Sequence, residues 1–195
     1  GDWKMKVFTN IYNYTINLAN KEKVLKYLYG LSFIESFIFP IPPDVLLAPI
    51  ALTRKYNWVH LAFFTTLYSV FGGIVGYIIG SFLFEVEILN NIVSEENFFE
   101  AKKLFNNHGF LIIFLAGFTP LPYKVFTITA GYMSIAIIPF FIASFIGRGL
   151  RFFLVSAIFY FFGLDRANKL KNYFEYIGYT ATILLIIFIY MRYFS

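Results

Sequence analysis

Three observations predict an all-α integral membrane protein. The chain of 195 residues is 59% hydrophobic and 14% charged, whereas a soluble domain carries roughly 45–50% apolar and about 25% charged residues. Its apolar stretches are long enough to enter or cross a bilayer. Two of them are broken by a proline pair with a charge close behind, Pro40-Ile41-Pro42-Pro43-Asp44 and Pro120-Leu121-Pro122-Tyr123-Lys124. Proline lacks an N–H and clashes with the preceding turn, so neither stretch can continue as one helix. Broken backbone at membrane depth is tolerated only where it is buried in protein or faces a watery cavity, and an ionisable residue there marks a functional site by default.

Composition also excludes several classes. There is no cysteine, which rules out disulfides, thiol chemistry and cysteine-ligated metal. His60 and His108 stand apart, without a partner at ligand spacing, so no metal and no cofactor is expected. The net charge of +5 comes without a basic cluster or recognition motif, which argues against nucleic acid and for loops near anionic lipid. The N-terminal residues lack the compact apolar core of a cleavable signal. The partners expected are membrane lipids and a possible homo-oligomer.

In chain order, residues 1–27 read as an amphipathic interfacial helix and its basic flank, with Phe8, Ile11, Tyr12, Thr15 and Leu18 on one face and Asn10, Asn13 and Asn17 on the other. Residues 28–52 fall into two arms of about a dozen residues around the first proline cluster. At about 1.5 Å per residue each arm covers little more than half of a roughly 30 Å hydrocarbon core, which suits a re-entrant hairpin better than a span. Residues 58–84 are long enough to cross, and Gly72, Gly73, Gly76 and Gly80 give them a smooth face for helix contact. Residues 85–109 form a solvated acidic connection with some helix. A second hairpin is expected over 110–135 around Pro120 and Pro122, and a second span over 139–163 with Arg148 and Arg151 near its middle. A polar link over 164–176 then leads to a final crossing helix at 177–194, so that 28–165 form the main membrane domain and 166–195 its C-terminal extension.

Basic residues set the orientation. Residues 1–29 carry five basic and two acidic groups, and Arg54 and Lys55 add two more positive charges. With the N-terminus inside, the first hairpin enters from the cytoplasmic side and the second from outside. The expected plan is an inverted repeat of re-entrant hairpin plus transmembrane helix, as in many secondary transporters whose sites lie near the midplane.

The runs Phe33-Ile34-Glu35-Ser36-Phe37-Ile38-Phe39-Pro40-Ile41-Pro42-Pro43-Asp44 and Gly117-Phe118-Thr119-Pro120-Leu121-Pro122-Tyr123-Lys124, with the glycine-rich span between them, resemble the DedA/VTT (SNARE-associated) membrane family, in its YqaA-type branch. The resemblance extends from the amphipathic helix to about residue 165. It implies a bacterial inner-membrane, multi-pass protein with two opposed hairpins that moves lipid between leaflets, undecaprenyl phosphate or phospholipid in bacterial members, with proton coupling proposed. The family's acidic pair maps onto Glu35 and Asp44. Better-known members read Arg-Phe-x-Pro-x-x-Arg in the second hairpin, where this chain has Gly117 at the first arginine position and Lys124 one place after the second.

On this basis Glu35 and Asp44 are the expected proton-exchanging groups, and Lys124, Arg148 and Arg151 the expected ligands of an anionic headgroup, since arginine suits bidentate phosphate binding. Asp44 and Lys124, opposite in sign at matching offsets, are expected to meet between the halves. Structural ion pairs, Asp44 with Lys124 or Glu35 with Arg148, are the alternative role for these residues. A membrane enzyme acting on lipid phosphates is disfavoured because no nucleophile and base accompany the arginines. A non-transporting membrane scaffold is the third class.

Overall fold

The computed structural model describes residues 23–85 and 95–194. The amphipathic helix expected within residues 1–22, and residues 86–94 of the acidic connection, lie outside them.

Six helices and no strand make up the described residues. α1 (Val24–Glu35) and α2 (Asp44–Leu52) flank the first proline cluster. α1 gives out through a loose turn in which the Ile38 and Phe39 N–H groups both donate to the Ile34 carbonyl. The prolines that follow supply no N–H with which to continue. Pro43 caps α2 and Asp44 occupies its first turn, where a carboxylate opposes the helix dipole favourably. α3 (Trp58–Glu85) is unbroken, and its segment Trp58–Leu83 is long and apolar enough to cross a membrane.

α4 (Glu95–Phe118) and α5 (Tyr123–Tyr132) flank the second proline pair in the same way. Much of the acidic connection is thus helical, because α4 begins at Glu95. α5 ends in a Schellman turn: the Ile135 N–H reaches the Ala130 carbonyl and the Ser134 N–H the Gly131 carbonyl, at 3.1 and 2.9 Å. Ser134 takes a positive φ there, and Arg54, just past α2, takes the matching conformation. Each second arm therefore stops on a left-handed residue shortly before a long helix.

α6 (Ile137–Phe194) differs from expectation by running on as one helix. The polar link expected at 164–176 does not interrupt it, since the stretch holds charged residues that favour helix, at spacings such as Asp165 to Lys169, and no proline. Its segment Ile137–Phe162 is the second one able to cross.

α3 and α6 run antiparallel, as two apolar clusters show. One joins Leu61 and Ala62, near the start of α3, to Phe152, Val155 and Phe159 of α6. The other joins Ile74, Tyr77 and Leu83, further along α3, to Phe140 and Ala143, near the start of α6. Around this pair α1 packs on α3 and α4 on α6, while α5 packs on α3 and α2 on α6. Neither crossing segment is wholly enclosed by its neighbours, since Phe63, Phe71, Phe82, Ile138 and Leu150 are exposed.

The glycine face of α3 is where this packing is tightest. A Cβ on Gly72 would stand 2.0 Å from the Phe33 carbonyl oxygen of α1, and one on Gly80 would stand 2.0 Å from that of Ile128 in α5. Gly131 answers from the other side, its Cβ position 1.8 Å from the Tyr77 oxygen. Backbone lies against backbone here, the geometry small residues permit in membrane interfaces. Gly80→Ala and Gly131→Ala are expected to destabilise the protein by about 1–3 kcal/mol or more, because backbone must shift. Gly30→Ala, with nothing within 4 Å of the added carbon, should be neutral or stabilising by up to about 1 kcal/mol. Thermal unfolding in detergent micelles measures all three.

Candidate functional site

Ser69 is the twelfth residue of the Trp58–Leu83 segment, and Arg148 is the twelfth of Ile137–Phe162. Both residues thus fall within about 3 Å of the midpoint of their segments, about 16 Å from the nearer end at about 1.5 Å per residue. An arginine at that depth is costly unless every face of it is satisfied. Arg148 is 3% exposed, and its partners come from several helices.

Its Nη2 pairs with Glu35 Oε2, at the end of α1. Its Nε donates to Ser69 Oγ of α3 at 2.6 Å. The Tyr123 ring of α5 and the Phe152 ring of α6 each have their centroid 4.7 Å from the guanidinium carbon, within the range of a cation–π contact. The hydroxyls behind Ser69 have a fixed direction. Ser36 Oγ donates to the Ser32 carbonyl at 2.9 Å, so its single proton is committed. In the 2.8 Å contact between Ser36 Oγ and Ser69 Oγ, Ser69 must therefore be the donor. The chain runs from Arg148 to Ser69 to Ser36 to backbone, and Ser69 keeps its lone pairs for the guanidinium.

One helical turn further along α6, Arg151 meets Asp44. Its Nε donates to Asp44 Oδ2 at 3.1 Å and its Nη2 forms the ion pair with the same oxygen. Asp44 is 2% exposed. The predicted pairing of Asp44 with Lys124 is corrected here, and the reason is topological: α2, which carries Asp44 at its first turn, packs on α6, while α5, which carries Lys124, packs on α3. Lys124, half-buried, instead donates from Nζ to the Ile38 carbonyl at 3.2 Å. Thr127 Oγ1 reaches the Ser36 carbonyl at 3.2 Å. Side chains beside the second break thus cover carbonyls left open at the first.

Of the predicted site residues, Glu35 with Arg148 and Asp44 with Arg151 come together as two buried pairs, and Lys124 stands at the junction of the breaks. Pro40 and Pro42 are exposed, Pro43 is buried, and of the second pair Pro120 is half-buried and Pro122 exposed. Ser36, Ser69, Tyr123 and Phe152 were not predicted. The signal for the serines was a spacing of four between Ser32 and Ser36, matched by Thr65 and Ser69 on one face of the facing span. Among the described residues no group of three metal-ligating side chains occurs.

The family model of the VTT domain matches residues 41–161. The chain belongs to the VTT-domain family. This is the domain of the DedA/SNARE-associated proteins, a membrane-associated family, and the match spans α2 through the crossing segment of α6 with Asp44, Lys124, Arg148 and Arg151. Glu35 precedes it. The chain is similar to an uncharacterized protein of Haemophilus influenzae, 38% identical over 94% of this chain and 96% of that one. It is also similar to an uncharacterized protein of Histophilus somni, 36% identical over 94% and 97%. No solved structure matches the VTT-domain chain significantly.

Breaking a buried pair strands a charge and costs roughly 3–5 kcal/mol, while removing both partners costs far less. Asp44→Asn and Arg151→Gln should each destabilise strongly, and the double variant should recover much of the loss, whereas Asp44→Asn with Lys124→Gln should be additive. Chemical unfolding in mixed micelles reads the coupling. By the same measurement Ser69→Ala should cost about 1–3 kcal/mol, because the buried Nε–H of Arg148 loses its acceptor, and Ser69→Thr should retain most of the stability.

Proposed function

We propose that this VTT-domain protein moves lipids with phosphate-bearing headgroups between bilayer leaflets, coupled to proton exchange at Glu35 and Asp44. The observation that carries the proposal is the presence of two carboxylate–arginine pairs at the centre of a span, each joining α6 to an edge of the first proline break. A guanidinium held by a carboxylate can be taken over by a phosphate, which offers the same planar pair of oxygen acceptors. Protonating Glu35 or Asp44 removes the competing charge and frees Arg148 or Arg151 for the headgroup. Deprotonation restores the pair and expels it. Lys124, half-buried where the breaks meet, is the first cation an entering phosphate would find, while the lipid tails stay in the bilayer. The exchange is non-covalent and needs no nucleophile or cofactor.

The same proposal makes the fold an inverted repeat of two re-entrant hairpins in a bacterial inner membrane. The packing supports it: exchanging α1, α2 and α3 with α4, α5 and α6 maps the α1–α3 contact onto α4–α6 and the α3–α5 contact onto α6–α2. The left-handed stops at Arg54 and Ser134 fall at equivalent places.

Because the chain has no cysteine, single-cysteine variants report topology cleanly. Lys26→Cys and Lys55→Cys should be labelled from the cytoplasmic side by an impermeant maleimide, and Asn106→Cys from the opposite side. Labelling of Lys26→Cys and Lys55→Cys on opposite faces would rule out the first re-entrant hairpin.

Transport is tested in proteoliposomes with labelled anionic and zwitterionic lipids, with and without a pH gradient. The protein should speed the flipping of anionic lipid and respond to the gradient, and Glu35→Gln should lose that response. Flipping no faster than in protein-free liposomes would overturn the proposal. Transport that persists with an unchanged pH response in both Glu35→Gln and Asp44→Asn would leave the pairs a structural role only.

A further inference from the structure

A second basic site, Arg54 and Lys55, stands where both crossing segments end, ten residues along the chain from Asp44. α2 closes at Thr53, and Arg54 follows with a φ of 54°, the left-handed conformation that glycine or asparagine usually supplies at a helix end. Its N–H closes the turn on the Ala51 carbonyl at 3.1 Å, a bond glycine would make equally well. The arginine side chain adds what glycine could not. Its Nε donates to the Tyr160 carbonyl at 2.9 Å, and its guanidinium carbon lies 5.8 Å from the Tyr160 ring centroid. That anchorage commits Nε and leaves both Nη groups available as donors. Lys55 follows, its Nζ 5.7 Å from the Tyr56 ring centroid. Both side chains are exposed, and among the described residues neither forms a salt bridge.

The level of this site in the membrane follows from its neighbours. Trp58 opens one crossing segment, and Tyr160 and Phe161 lie beside the end of the other at Phe162. Trp58 stands edge-on to Phe161 with centroids 5.9 Å apart, and its carbonyl accepts from Ser156 Oγ at 2.9 Å. Two cations backed by tyrosine and tryptophan rings at the end of both spans are the composition of a membrane–water boundary. Immediately beside them Val59 and Phe161 are 42% and 57% exposed, an apolar surface at the height where acyl chains begin.

We propose that Arg54 and Lys55 form a docking site for the phosphate of an anionic phospholipid, whose chains lie against Val59 and Phe161. The paired Nη donors suit a phosphate, and two exposed cations that form no salt bridge among the described residues favour a headgroup of net negative charge over a zwitterionic one. The site is separate from the proposed transport path and stands or falls independently of it.

Trp58 reports the test. The chain has two tryptophans, Trp3 and Trp58, so Trp3→Phe leaves Trp58 as the sole emitter in proteoliposomes containing brominated phosphatidylglycerol or brominated phosphatidylcholine. The anionic lipid should compete for the site by about tenfold, and Arg54→Gln with Lys55→Gln should bring the two lipids near parity. Lys103→Gln, a charge loss elsewhere, should leave the preference intact. Arg54→Gly, which suits the left-handed backbone, should lose most of the preference while holding or raising the melting temperature, so that loss of binding is not loss of fold. Equal quenching by both lipids in the single-tryptophan protein would overturn the proposal, as would a preference that survives the double substitution or falls equally with Lys103→Gln. Relief of quenching by millimolar inorganic phosphate would also overturn it, by assigning the site to free phosphate.

Discussion

The burial of Arg148 organises the molecule. A guanidinium at the centre of an apolar span demands an anion, hydrogen-bond acceptors and polarisable surface, and it obtains them from four different helices: Glu35 of α1, Ser69 of α3, Tyr123 of α5 and Phe152 of α6 itself. No two elements could meet that demand alone. Both proline-flanking regions are thereby tied to one charge, and the Asp44–Arg151 pair repeats the tie one turn away with α2. Desolvation makes each missing partner expensive, so the cost of burying the arginine becomes a force for specific assembly.

That assembly depends on small residues. Gly73 gives the Tyr123 ring its place, since a Cβ there would lie 2.7 Å from the tyrosine oxygen, and Gly76 does the same for Thr127 at 2.4 Å. Gly147, next to the arginine, lets the Phe114 backbone of α4 come equally close. Larger side chains at these points would hold the helices apart, and the side chains that satisfy Arg148 would no longer reach it. Close packing and the buried charge are thus two aspects of one design. The proposed transport cycle asks the same contacts to open, and an ion pair can do so reversibly, because protonation changes its strength without changing its shape.

The parts of the fold visible in the sequence were those set by local chemistry. Proline placed both breaks, apolar length placed both crossing segments within a residue or two, and the glycine spacing identified the contact face of α3. The C-terminal link was misjudged because charge alone does not stop a helix, and a stretch of helix-favouring residues without proline continues through α6. At the site, charge in apolar surroundings singled out Glu35, Asp44, Lys124, Arg148 and Arg151. The partners of Asp44 and Lys124 were not legible, because matching offset and opposite sign describe sequence and say nothing of which helix lies alongside.

By itself the sequence determined that the chain is helical, belongs in a membrane, breaks at two proline clusters and carries five ionisable residues in apolar surroundings. Hydropathy, the missing proline N–H and the cost of buried charge each act within a few residues, so they can be read along the chain. The tertiary structure alone decided that Asp44 faces Arg151, that Ser36 and Ser69 orient Arg148, and that Lys124 covers a carbonyl of the opposite break. Those choices depend on α2 lying on α6 and α5 lying on α3, an exchange of partners between the two halves that no local interaction encodes.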